Sequence, residues 1–134
     1  MDFDIPKSIE DEKIFFVEEN HLAQFLAEEN INVLSTPSMI RFMENTSRIL
    51  ADKYLPDGYT TVGTEINVKH LKSAPLHSEI VVKSCLTNKN GRNLKFTVSA
   101  TWKDILIGEG LVGRFIINKK RMLARIRERI EEKQ

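Results

Sequence analysis

The local signals in this chain predict an α+β domain in which an antiparallel sheet of about five strands wraps around one long central helix. Three observations carry that expectation. Residues 34–55 repeat apolar side chains at helical spacing over roughly half of the helix circumference. The segments that follow alternate or are rich in β-formers, and end on turn residues. Two of these segments are joined by Asn88-Lys-Asn-Gly91, a strong hairpin signal.

The central helix comes first in the argument. Met39, Ile40, Phe42, Met43, Thr46, Ser47, Ile49, Leu50 and Tyr54 fill its apolar arc, and Arg41, Asn45, Arg48 and Asp52 form a narrow polar strip. A surface helix needs a stripe only somewhat wider than about 100°. The wider arc predicts enclosure on most sides by the strands that follow. Glu44 lies at the border of the arc, beside Ile40 and Ala51, where a carboxylate is either a rim residue or held in a partly dry site. Thr36-Pro37 marks the helix start, with the hydroxyl at the N-cap and the proline at the first helical position. The same terminus can offer free N–H groups to an oxyanion, and the two roles are compatible.

The remaining elements follow in order. Residues 1–11 are polar with Pro6 and are expected to form a loose lead-in; 13–18 read as a strand. Residues 20–29 read as a short helix capped by Asn20, in the position of a lid, with His21 exposed at its start. After the turn Pro56-Asp-Gly58, residues 60–71 alternate. Val62, Thr64, Ile66, Val68 and His70 share one face; Thr61, Gly63, Glu65, Asn67 and Lys69 share the other. Gly63 suggests a bulge or a close approach. His77 follows Pro75 in an exposed turn. Residues 79–87 and 94–103 form the hairpin, with Leu94, Phe96, Val98, Ala100 and Trp102 inward. Gly108, Gly110 and Gly113 predict curvature within the last strand, 105–117, and 119–132 form a closing helix with Met122, Ile126 and Ile130 on one stripe. Long strands with open edges predict pairing in a homodimer.

At 134 residues, with 41% hydrophobic and 29% charged residues, the chain makes a single domain, 1–134, of soluble globular character. The lone Cys85 excludes an internal disulfide framework and fits a reducing compartment. Neither a signal peptide nor a membrane span is legible, so the expected location is cytoplasmic, with no membrane partner. Net charge is +1, but residues 1–30 are acidic and the last stretch is basic. Arg121, Arg125 and Arg129 share a helix face without interleaved aromatics, so no nucleic-acid partner is expected.

Phosphate-binding glycine loops and the Gly-x-Ser-x-Gly elbow are absent. One cysteine and three scattered histidines exclude the usual zinc spacings, and no metal is expected. Cys85 lies mid-strand and reads as a sheet residue. Thr36, Glu44 and His70 remain: a hydroxyl, a carboxylate and an imidazole near the central helix and its first enclosing strand. Those groups suffice for general-base attack on an acyl group. His70 can equally be a core histidine satisfied by backbone.

The stretch Val33-Leu-Ser-Thr36-Pro-Ser-Met-Ile-Arg-Phe-Met-Glu44, then Leu55-Pro-Asp-Gly58, then Val62-Gly63-Thr64-Glu-Ile-Asn-Val-Lys-His70, resembles the hotdog-fold thioesterases of the fluoroacetyl-CoA thioesterase type. The resemblance implies a homodimer with an acyl-CoA site near its interface. It also implies that Thr36, Glu44 and His70 are catalytic and that Gly63 is an active-site glycine. Coenzyme A enters as part of the substrate, with no other cofactor. Pro37 at the helix start and the basic residues Lys119, Lys120 and Arg121, with Arg114 before them, are the expected substrate contacts. The resemblance departs in the lid, which carries phenylalanines in the fluoroacetyl enzyme and reads Ala27-Glu-Glu-Asn30 here. That argues against fluoroacetyl as the acyl group. The expected activity is acyl-CoA hydrolysis; the alternative is a non-catalytic acyl-CoA sensor on the same fold.

Overall fold

The computed structural model describes residues 3–132. The chain runs β1 (Glu10–Phe16), α1 (Gln24–Ala27), α2 (Thr36–Asp52), β2 (Tyr59–His70), β3 (Glu79–Asn90), β4 (Asn93–Trp102), β5 (Ile105–Asn118) and α3 (Lys119–Glu132). The five strands form one antiparallel sheet in the order β1-β3-β4-β5-β2, so β1 and β2 are its edges.

α2 lies against this sheet and buries Met39, Phe42, Met43, Thr46, Ser47, Leu50 and Ala51. Each large apolar side chain taken from water contributes about 1.5–3 kcal/mol. Two buried hydroxyls sit inside this apolar contact without penalty. Thr46 Oγ1 donates to the Phe42 carbonyl at 2.8 Å, and the Ser47 and Ser84 hydroxyls meet at 2.8 Å, fixing α2 against β3. Ile40 and Ile49 are half-buried, while Tyr54 lies beyond the helix end and is exposed.

Several expectations are corrected. The N-cap of α2 is Ser35, whose Oγ accepts from the Ser38 N–H at 3.2 Å; Thr36 is the first helical residue and Pro37 the second. The lead-in is not loose: Phe3, Ile5 and Ile9 are buried, and the Phe3 ring packs edge-on against Tyr59 at 5.1 Å. The helix expected over 20–29 is broken in two. A 3-10 turn, Glu19–His21, precedes Leu22, which bridges to Leu34, and only four residues of α1 follow. His21 is half-buried there, with Nδ1 accepting from the Glu18 N–H and the ring edge-on to Phe42.

One-residue bulges interrupt three of the ladders. Thr87 is extra in β3 and Ile107 in β5, and Thr64 is extra in β2 between Gly63 and Glu65. The last splits the expected faces of β2: Ile66, Val68 and His70 stay on one face, and Gly63 joins them in place of Val62. Gly63 pairs with Arg114, and His70 with Gly108, so both look toward α2 although strict alternation would oppose them. β5 meets β2 closely here: a Cβ on Gly110 would collide with the Asn67 carbonyl and Val68 Cα. At the other end of the ladder, the Lys119 N–H bonds the Gly58 carbonyl at 2.9 Å and starts α3. α3 buries none of its side chains, and Leu123, Ile126 and Ile130 are exposed on it.

The Gly110 contact is with backbone, which has no soft way to yield. Gly110→Ala should therefore destabilise the fold by about 1–3 kcal/mol. Urea unfolding checks this, and an unchanged midpoint would show that β2 and β5 are less closely held than described.

Candidate active site

Residues far apart in sequence meet at the start of α2 through backbone pairing. Leu34 N–H donates to the Ala74 carbonyl at 2.8 Å, Leu76 N–H to Asn32 at 3.0 Å, and Ser35 N–H to His21 at 2.8 Å. The segment leading into α2 is thereby tied to the segment leaving β2. The end of β2 is fixed in turn by the Ile107 bulge, whose carbonyl accepts from Leu71 at 2.7 Å and Lys72 at 3.2 Å. With both backbones set, Thr36 Oγ1 lies 2.7 Å from His70 Nδ1.

The reassigned cap matters for this pair. A cap hydroxyl is engaged by its own helix, so Ser35 in that role leaves Thr36 free to meet the imidazole. The expected set of N–H groups at the helix start is reduced as well. Pro37 has none, Ser38 donates to Ser35 Oγ, and Met39 donates to the Ser35 carbonyl at 3.1 Å. Of the three N–H groups on the first four helical residues, that of Thr36 alone lacks a partner among the described residues.

His70 is half-buried, and its Nε2 is buried without a partner among the described residues. Burial lowers the pKa of the imidazole below the ordinary histidine value, with a weaker opposing pull from the Lys72 backbone. The ring is therefore neutral at neutral pH, the state a base requires. Thr36 and His70 open onto a cleft of about 630 Å³, with Leu22, Phe25, Leu26, Val33 and Leu71 on its walls.

Glu44 belongs to a second cluster. It lies eight residues after Thr36, about 12 Å further along α2 at 1.5 Å per residue. Its Oε2 is 3.4 Å from Arg114 Nη1, under Gly63, where an added Cβ would stand 2.7 Å from that oxygen. Arg114 is buried; its Nε donates to Thr61 Oγ1 at 2.7 Å and its Nη2 to the Thr61 carbonyl at 2.8 Å. Burial lowers the Arg114 pKa while the Glu44 carboxylate opposes that shift, so the guanidinium stays charged. Arg114 is thus an anchor for Glu44 and not a surface cation for phosphates. Its role was not legible in the sequence, since the partners Thr61 and Glu44 come from other elements. Lys119, Lys120 and Arg121 lie exposed at the start of α3. They stand at the opposite end of β2 from His70, on the order of 35 Å away at about 3.3 Å per residue. One chain therefore brings Thr36 to His70 and Glu44 to Gly63, and leaves the basic cluster apart from both.

Cys85 is half-buried with its thiol 3.4 Å from Glu10 Oε2, and burial raises its pKa, so it is no thiolate nucleophile.

Gly63→Ala should tilt the Glu44 carboxylate off Arg114 while changing stability by less than about 1 kcal/mol, because the obstructing atom ends a flexible side chain. A crystal structure of the variant, with its thermal midpoint, checks both parts. An undisturbed Glu44–Arg114 contact would contradict the close approach.

The chain resembles the structure of the fluoroacetyl-CoA thioesterase FlK at 25% identity, with a TM-score of 0.84 over 92% of this chain and 96% of that one. FlK variants have been crystallised with fluoroacetate and CoA, and with acetyl-CoA. The Thermus thermophilus hypothetical protein TTHA0967, a thioesterase superfamily member, is 25% identical, with a TM-score of 0.85 over 96% of this chain and 95% of that one. A hot-dog-like protein from Thermanaerovibrio acidaminovorans shares the fold at 18% identity, with a TM-score of 0.84 over 92% of each chain. No curated protein sequence matches the chain. The profile of the fluoroacetyl-CoA-specific thioesterases matches residues 17–120 of the 134, and the chain belongs to that family and has its hotdog fold.

Proposed function

We propose that this protein hydrolyses acyl-CoA thioesters to the free acid and CoA. The observation that carries the proposal is the 2.7 Å contact between Thr36 Oγ1 and a neutral His70, beside a free N–H at a helix start, in a chain of thioesterase family. In this reading the thioester carbonyl oxygen lies at the Thr36 N–H, where negative charge develops as the carbonyl carbon is attacked. The Thr36 hydroxyl positions the attacking water, and the His70 imidazole takes its proton. Collapse of the tetrahedral species breaks the C–S bond, and the same proton passes from imidazolium to the thiolate of CoA.

Glu44 completes the site from a second copy. β2 is a twelve-residue edge strand with Ile66 exposed beside it, and such edges pair. A strand pairing with its own copy about a two-fold axis runs antiparallel. The Gly63 half of one β2 then faces the His70 half of the other, which brings the partner's Glu44 toward Thr36 and His70. Glu44 there orients or activates water, or attacks transiently itself. The same two-fold carries the partner's Lys119, Lys120 and Arg121 to the His70 end, where they meet the phosphates of CoA. The homodimer is thus part of the mechanism, and Pro37 bounds the mouth of the cleft.

Thiol release measured across short-chain, branched and aromatic acyl-CoAs tests the activity. His70→Asn should lower kcat by about 10²–10⁴-fold. In the wild type, kcat/KM should fall toward acid pH with an apparent pKa below the ordinary histidine value, since protonation removes the base. The fold should weaken in the same direction: the native imidazole resists protonation, so stability is lost as pH falls from the unfolded pKa to the native one. Tight binding of acyl-CoA without thiol release would leave the protein a sensor.

The shared site has a separate test. Glu44→Ala and Thr36→Ala chains should each be nearly inactive alone. Mixed and allowed to exchange, they should recover up to about a quarter of wild-type activity, because half of the dimers are mixed and each holds one intact site of two. No recovery despite proven exchange would place all three groups within one chain.

A further inference from the structure

We infer, resting on the thioesterase reading, that the acyl group is an unsubstituted aliphatic chain well longer than acetyl, seated beneath α1. Thr36 and His70 stand at one side of the cleft of about 630 Å³, and Leu22, Phe25, Leu26 and Val33 continue from them toward α1. Among the polar side chains on its walls, Gln24, Ser35 and Ser73 are neutral and Lys72 alone is charged at neutral pH. A short acyl group would leave most of this apolar wall in contact with water.

Electrostatics sets which end of the substrate goes where. The chain leaving α1 carries Glu28 and Glu29, both exposed, and Glu18 and Glu19 precede it. Coenzyme A is repelled from that end by its phosphates and drawn to the His70 side, where Lys72 follows two residues on and lines the cleft. The acyl chain therefore takes the α1 side and the pantetheine arm leaves past Lys72. Phe25, 71% exposed on the four residues of α1, is a large ring at the cleft with little burial of its own. A chain lying beneath it removes apolar surface of both from water. Asn30, at φ 64, then turns the backbone back toward α2 in a conformation asparagine tolerates.

The experiment is a series of acetyl-, butyryl-, hexanoyl- and octanoyl-CoA. kcat/KM should rise about fourfold per added methylene through hexanoyl, the rate equivalent of burying each CH₂. Leu26→Trp, which fills the α1 side, should flatten the rise of kcat/KM with chain length. The same series is titrated calorimetrically on the His70→Asn variant, where affinity reads the chain-length preference without turnover. Absence of hydrolysis with a steep length dependence of affinity would overturn the catalytic reading and support the apolar acyl site. Equal affinity and equal kcat/KM for acetyl and hexanoyl, or a preference for acetyl, would overturn the acyl assignment whatever the catalytic outcome.

Discussion

The extra residue in β2 is the constraint on which the rest of the site depends. Gly63 and His70 are seven positions apart, an odd number, so a regular strand would point them to opposite faces. Thr64, unpaired between Gly63 and Glu65, adds the step that turns both toward α2. Without that bulge, either Glu44 would lose the open approach at Gly63 or Thr36 would lose His70. The ladder around it is held firmly enough to impose the shift, since β5 contributes Gly110 where only a bare backbone fits against Asn67 and Val68.

The enclosure of α2 works with this strand geometry. Met39, Met43 and Leu50 are fully or almost fully buried under the sheet, and the Ser47–Ser84 contact fixes helix rotation. Rotation matters because α2 carries both clusters. Thr36 at its first position reaches the end of β2, and Glu44, two turns on, reaches the middle. A helix pinned along its apolar face holds both distances together. Within one chain β2 is an edge of the sheet, so its free side is open to a second strand.

Charge is arranged in two tiers. Arg114, in the interior, holds the Glu44 carboxylate and satisfies Thr61; this is the bidentate, desolvated work to which a guanidinium is suited. The solvated cations of α3 lie at the far end of the ladder, and the acids around α1 lie beside the cleft. These surface charges add little to stability, but they set the field that a charged ligand would meet near the cleft.

The sequence by itself determined the α+β class, the wide apolar arc of α2, the alternation of β4 and the closing helix over 119–132, because each follows from local periodicity. The bulge at Gly63 was legible for the same reason, as a glycine breaking a strand. The motif spacing also singled out Thr36, Glu44 and His70. Tertiary structure decided what those residues touch. Thr36 looked like the cap because a hydroxyl before proline usually is one. The adjacent Ser35 fills that role only once the chain is tied to His21 and Ala74, and the freed hydroxyl goes to His70. Phe3, Ile5 and Ile9 carry no periodic signal, yet they pack against a core assembled by distant segments. Arg114 looked like part of a basic surface cluster because charge in sequence says nothing about direction. Its burial follows from strand register, which is fixed by pairing between β5 and β2 across more than fifty residues of chain. Local pattern sets the elements, and only the long-range pairing sets which side chains share a site.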